Sequence, residues 1–460
     1  MKCNCRWVGR CVDTLLATVG LLAVCCIAGA PLSAQSALLD KNRQALPATP
    51  SAGTGALTPR VRDALANVVP SLQQARFPTE AIQTIGSSGD PRLLWYLYDL
   101  LRFVTRDSRP AVVEAFEKLS GAELPREPVL AMGDRTLAWD LPAPPGYRLL
   151  KRDLFLLIEP RWAPFFDDDD SAIDWRQVGW GGVFIDDRPD ATSGQICPRG
   201  CIPALDQPAV TDAAGGSWYP DDGVVFGIAI GGAARAYPKH IMEVHEMVND
   251  TLGGRRLAIP YCTLCLSAQA YFVDDVEGFS PLLRTSGLLS RSNKFMYDVT
   301  TFSAVDTFTG EAISGPLLDA GVSLNQTTVV TSTWAAWRSA YPHTSVIAED
   351  GGIGHRYPRD PLRGRDDAGP IFAVGDVDPR LGVHDVVLGV LDAAGVPVAF
   401  PVGQARLALE AGEEVGASGV TLESDAGGLR TFIDGAEVPA HEAFWFAWSQ
   451  FQPGTLLWER

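Results

Sequence analysis

Two stretches of this chain repeat one another, and the repeat limits how the chain can fold. "VVFGIAIGGAARAYP" (224–238) matches "VVLGVLDAAGVPVAFP" (386–401) with one extra residue. "WAAWRSAYPHTSVI" (334–347) matches "WFAWSQFQPGTLLW" (445–458). The second pair shares W-x-A-W, a proline five residues after the second tryptophan, and a threonine two further on. Short apolar runs broken by Gly and Pro read as strands. The echo predicts an internal duplication, with copy one at about 220–350 and copy two at about 380–460. Between the matched ends copy one has 95 residues (239–333) and copy two only 43 (402–444). The surplus in copy one carries His240, His245, Cys262, Cys265 and Met296. A site in the first copy, with the second as support, is the expectation.

The overall expectation is an α+β fold: a mixed α/β main domain rich in short strands, preceded by a small all-helical region. Residues 1–34 read as a signal peptide. Lys2, Arg6 and Arg10 precede the apolar run "LLATVGLLAVCCIAGA" (15–30), and small residues lead to a cleavage site near Ala34. The run is short for a membrane span, so no stable span is expected after cleavage; a retained N-terminal anchor is the alternative. A periplasmic or extracellular location follows. The formal net charge of −17 argues against nucleic acid and against an anionic membrane surface. Five of the nine cysteines fall in the leader, which leaves Cys197, Cys201, Cys262 and Cys265. An even set of thiols in an oxidising compartment favours disulfides.

Residues 35–55 read as a linker, 56–125 as helical, 126–190 as an irregular connection, and 191–460 as the main domain. "SGDPRLLWYLYDLLR" offers Asp90 as a cap and Pro91 in the first turn of an amphipathic helix. It is similar to a helix of HEAT-type repeats; a generic helical cap on the main domain is the other reading. The run Asp167 to Asp170 lacks the spaced oxygens of a calcium loop and reads as a solvated segment.

The chemistry-bearing residues cluster after residue 236. "AYPKHIMEVHEMVNDTLGG" reads as a helix opened by Pro238 and ended by Gly253-Gly254. "HEMVN" lacks the second histidine of a zinc-protease helix, because Asn249 stands there, and the protease reading fails. His245 is left as a single candidate ligand. "LAIPYCTLCLSAQAYFV" places Cys262 and Cys265 at a strand–turn–strand corner. No strong helix follows them, so the dipole that activates a thioredoxin-type cysteine is missing. A thiol pair on a turn suits a metal, and Met296 completes a soft donor set with His245, Cys262 and Cys265. Such donors take copper before zinc, with no nucleotide cofactor. Glu246, Asn249, Tyr297 and Asp298 are the candidate supporting residues. Cys197 and Cys201 lie in a Pro/Gly-rich loop, where they form a local disulfide, pair with the other two cysteines, or make a second soft site.

Several motifs in order carry a resemblance: "ARAYPKHIMEVHEMVNDTLGGRRLAIPYCTLC", "SGLLSRSNKFMYDVTT", "GEAISGPL" and "TWAAWRSAYPHTSV". With "WGGV" (180–183), "DPRLGVHDVVLGV" (378–390) and "FWFAWSQFQPGT" (444–455), they resemble the bacterial and archaeal family called domain of unknown function 3179, over about 175–460. The resemblance implies the domain and no particular reaction. This chain departs from the family pattern at Thr263, where C-P-L-C is common, and after Ser303, where S-L-W-S-Q is common. It also carries Cys197 and Cys201 in an insertion between Val183 and Ile202.

The expected function is therefore soft-metal binding at the Cys262/Cys265 turn, with a redox role. A thiol–disulfide oxidoreductase and a non-catalytic recognition scaffold stapled by a Cys262–Cys265 disulfide are the alternatives. An unidentified protein or redox partner is implied. No G-x-S-x-G elbow or phosphate loop supports a hydrolase or nucleotide enzyme.

Overall fold

Thr58 starts the first helix, Pro59–Gln73, by accepting a hydrogen bond from the Val61 amide, and Pro59 fills the first turn. Its buried face is Val61, Ala64, Leu65 and Val68. Asp90 likewise caps the turn Pro91–Leu93 that leads into Leu94–Leu100. The computed structural model describes residues 37–189, 197, 199–365 and 369–460. The predicted signal peptide lies outside the described residues.

The helices do not stop at residue 125. Pro128–Trp139, Tyr147–Ile158 and Ala163–Asp167 occupy the stretch expected to be irregular. The apolar pattern there is masked by a polar residue on a buried face. Lys151 is fully buried and pairs with Asp99 at 3.0 Å, and Tyr147 donates to the same carboxylate at 2.6 Å. The aspartate run is also more than solvated. Arg152 pairs with Asp167, and Asp168 accepts the Gly315 amide at 2.7 Å.

The helical layer shares one core with a sheet. Trp162 donates from its indole to the Ser286 carbonyl at 2.8 Å, and Phe165 meets Phe295 and Tyr297 edge-on. Burial of these rings joins the helices to the strands, so Leu38–Arg460 forms one compact unit.

The strands of the described residues make five small sheets in a propeller-like arrangement. The first contains Val178–Trp180, Leu283–Ser290, Asn293–Asp298 and Ala304–Asp306. The second is built on the antiparallel hairpin Met247–Leu252/Arg255–Cys262. The third pairs Val224–Ile230 with Ala233–Pro238, flanked by Val330–Thr333 antiparallel and Ser345–Ile347 parallel. The fourth pairs Val386–Leu391 with Pro397–Pro401, flanked by Ala440–Phe444 antiparallel and Leu456–Leu457 parallel. Residues 416–438 make the fifth.

The expected division into two copies is thereby corrected. The repeated residues build the frames of the third and fourth sheets, and the stretches between them go into other sheets. Each frame holds a short helix, Trp334–Ala340 or Trp445–Phe451. Trp337 donates to the Thr344 hydroxyl at 2.9 Å, and Trp448 to the Thr455 hydroxyl at 3.0 Å. Each indole packs against a glycine on an inner strand of its sheet, Gly227 or Gly389, where a Cβ would overlap the ring. The W-x-A-W…P-x-T pattern and the strand glycines are thus two halves of one contact.

Gly389→Ala is expected to cost about 1–3 kcal/mol through this overlap, read as a lower midpoint in urea. Gly403→Ala, in the helix Val402–Glu410 with nothing within 4 Å, is expected to stabilise by about 0.4–1 kcal/mol.

Candidate functional site

Helix Lys239–His245 begins after Pro238 and ends earlier than expected. Glu246 adopts a left-handed conformation, φ 53°, and the strand Met247–Leu252 follows at once. Gly253 and Gly254 instead turn the hairpin of the second sheet. This abrupt end points His245 and Glu246 to different neighbours.

His245 is buried with both ring nitrogens engaged. Nδ1 lies 2.7 Å from the Pro203 carbonyl, and Nε2 lies 2.6 Å from the Tyr357 hydroxyl. A carbonyl only accepts, so Nδ1 carries the proton and Nε2 accepts from Tyr357. Burial holds this imidazole neutral, with its pKa lowered to about 4.

Glu246 turns the other way. Its carboxylate accepts from the Thr263 hydroxyl at 3.0 Å and pairs with the Lys294 ammonium. Burial pushes the Lys294 pKa down to about 7. Thr263 stands between the two cysteines, so this pair borders the sulfur turn.

Strand Arg255–Cys262 ends in the single turn Thr263–Cys265. Leu266, at φ 54°, reverses the chain so that Ser267–Ala268 pairs back on Tyr261 and Cys262. The strand–turn–strand corner is as expected. The two sulfurs are 2.6 Å apart and share the Ser292 carbonyl as acceptor, at 3.0 Å from Cys265 and 3.7 Å from Cys262. Cys265 is fully buried, which pushes its thiol well above the ordinary range, and the adjacent Cys262 adds to the rise. Cys262 retains 5% exposure. The turn packs into an apolar cluster with Val387, Ala399, Trp445 and Trp448 of the fourth sheet and its helix.

The predicted donor set does not come together. Among the described residues, no group of three His, Cys, Asp or Glu with mutually close ligand atoms contains His245 or either of these cysteines. Both His245 nitrogens are committed elsewhere, to partners 42 and 112 residues away in the chain. Met296 packs in a different apolar cluster, with Met247, Tyr271 and Val305. Of the supporting candidates only Glu246 reaches the turn. Asn249 clamps Asp206 and the Leu283 backbone, Tyr297 donates to the Asp186 carbonyl, and Asp298 caps the turn at Thr301. Cys197 and Cys201 are bonded to each other, as the local-disulfide reading expects. They lie beside Asp186, but that carboxylate is filled by the Arg188 guanidinium and the Ala204 amide.

Sequence reasoning missed Thr263, Ser292 and Lys294. Thr263 drew attention only as a departure from the family's proline. Lys294 lies inside the quoted "SGLLSRSNKFMYDVTT", where methionine attracts the ligand reading. The buried His441 was missed as well. Its ring lies between the side-chain amides of Gln269 and Gln326, each at 3.2 Å.

The profile of the family described as protein of unknown function (DUF3179) matches residues 199–438, just over half of the chain. No curated protein and no solved structure matches it.

Lys294→Met strands the buried Glu246 carboxylate and is expected to cost about 3–5 kcal/mol; adding Glu246→Gln recovers most of that loss in urea unfolding. The neutral His245 contributes stability that is full above pH 6.5 and is lost as the pH falls from about 6.5 through about 4. Nitrogen NMR of the imidazoles is expected to show His245 unprotonated at pH 5.

Proposed function

The chain belongs to the DUF3179 family, and from that premise we propose that the Cys262–Cys265 turn is a two-electron dithiol–disulfide centre. The observation that carries this reading is the 2.6 Å separation of the sulfurs. Two thiolates on one tetrahedral zinc lie about 3.8 Å apart, given Zn–S bonds of about 2.3 Å. A disulfide needs about 2.05 Å. The observed pair stands nearer the second, on a turn that needs only a small closure.

In the reduced state the Ser292 carbonyl accepts from the thiols. Oxidation by a disulfide-bearing partner removes two electrons and two protons from Cys262 and Cys265, forms their S–S bond, and releases the partner's sulfurs as two thiols. Cys262 is the sulfur that meets the partner, being the more exposed of the two, while burial and the adjacent Cys262 hold the Cys265 thiol well above its ordinary range.

An oxidising compartment fits this chemistry. The Cys197–Cys201 disulfide and the apolar N-terminal run support export. Among the described residues no helix is long and apolar enough to cross a membrane.

The test is thiol counting by mass spectrometry on the native protein across a glutathione redox series, followed by unfolding. Two thiols are expected to appear and disappear reversibly, and Cys262→Ser is expected to abolish the transition. A Cys262–Cys265 bond that resists dithiothreitol until the protein unfolds would make the turn a staple. One equivalent of copper or zinc in the wild type, lost in Cys262→Ser, would restore the metal reading.

A further inference from the structure

The other side of helix Lys239–His245 borders a cleft of about 1210 Å³, walled opposite by the loop 349–359. The sulfur turn is not part of its lining. Two buried polar groups in its wall lack a hydrogen-bond partner among the described residues: Nδ1 of His240, a residue only 9% exposed, and Nε1 of Trp218. An unmade hydrogen bond at a buried donor or acceptor costs about 1–3 kcal/mol. Two of them in one wall mark a place where a ligand supplies the partner.

The rest of the lining says what kind of ligand. Tyr219 and His240 stack at 5.2 Å, and Trp218 and Tyr357 complete an aromatic wall. Tyr357 is held in place by its bond to His245. Above this wall the charges are mixed. Lys239 and Glu243 pair with each other. Arg356 and Arg359 are exposed and form no ion pair among the described residues, and Glu349 and Asp350 bring two carboxylates. Donors and acceptors therefore stand side by side without a dominant sign. Burial and the Arg359 charge lower the His240 pKa to about 4, so the imidazole adds no charge at neutral pH.

A phosphate or a polycation would find half of these groups repulsive. A polyhydroxylated chain finds all of them useful. Its hydroxyls donate to carboxylates and accept from guanidinium and indole N–H, and its C–H faces lie on aromatic rings. The volume exceeds the roughly 300–1,000 Å³ of sites for single small ligands, which favours several linked rings. We propose that this cleft binds a neutral oligosaccharide, with Trp218 and His240 supplying the buried hydrogen bonds and Arg359 an exposed one.

The test is isothermal calorimetry of the full chain with maltotetraose, cellotetraose and chitotetraose, beside tetragalacturonate and inorganic phosphate. At least one neutral tetrasaccharide is expected to bind at one per chain. Trp218→Phe keeps the ring and removes the N–H, and is expected to weaken binding about three- to tenfold. Arg359→Ala, at an exposed position, is expected to weaken it by a similar factor with an unchanged melting temperature. Failure of all three neutral sugars at millimolar concentration overturns the proposal. So does binding of tetragalacturonate or phosphate alone, or neutral-sugar binding indifferent to both substitutions.

Discussion

Two tryptophans packed on two glycines fix the third and fourth sheets to their short helices. Trp337 covers Gly227 and Trp448 covers Gly389, each anchored by a threonine hydroxyl further along the chain. The contact fixes a helix to the middle of a sheet at a distance that only a missing side chain allows. The sulfur turn packs beside one of the two contacts. The Cys262–Cys265 turn packs on the Trp445–Trp448 helix of the fourth sheet, although the cysteines belong to the second. One repeated frame thus serves as the wall for a sulfur turn that belongs to a different sheet.

Helix Lys239–His245 is the second organising element. Its length is set by the left-handed Glu246, which ends it one residue after His245. One side of the helix faces the aromatic cleft, and its end delivers Glu246 to Thr263 and Lys294 beside the sulfurs. His245 lies between the two, bound to Pro203 and Tyr357. Seven residues therefore position two chemically different surfaces.

What the sequence made legible was local. The Asp90 cap, the strand–turn–strand setting of the cysteines and the repeated tryptophan pattern all follow from short-range chemistry. The misreadings were of long range or depended on a single backbone angle. His245 looked like a free ligand because Pro203 and Tyr357 are distant in sequence. Residues 126–167 looked irregular because Lys151, a charged residue, is buried against Asp99 rather than exposed. The helix appeared to run to Gly253 because nothing in the identity of Glu246 announces a positive φ. Met296 was singled out by residue type, while its burial among Met247 and Tyr271 is set by the fold.

The family match ends where the structure does not. Residues 199–438 stop two residues before Ala440–Phe444, the strand that pairs with Val386–Leu391. They also leave out Trp448, whose ring covers Gly389, and Leu456–Leu457, the parallel edge of the same sheet. At the other end they omit Val178–Trp180 and the whole helical layer that buries Phe295 and Tyr297. A chain trimmed to the matched boundaries would expose an unpaired strand edge and a bare apolar face together, the combination that drives strands of separate molecules to pair. The unit that folds is therefore larger than the unit that sequence comparison recognises, and the helical layer belongs to it as much as the sheets do.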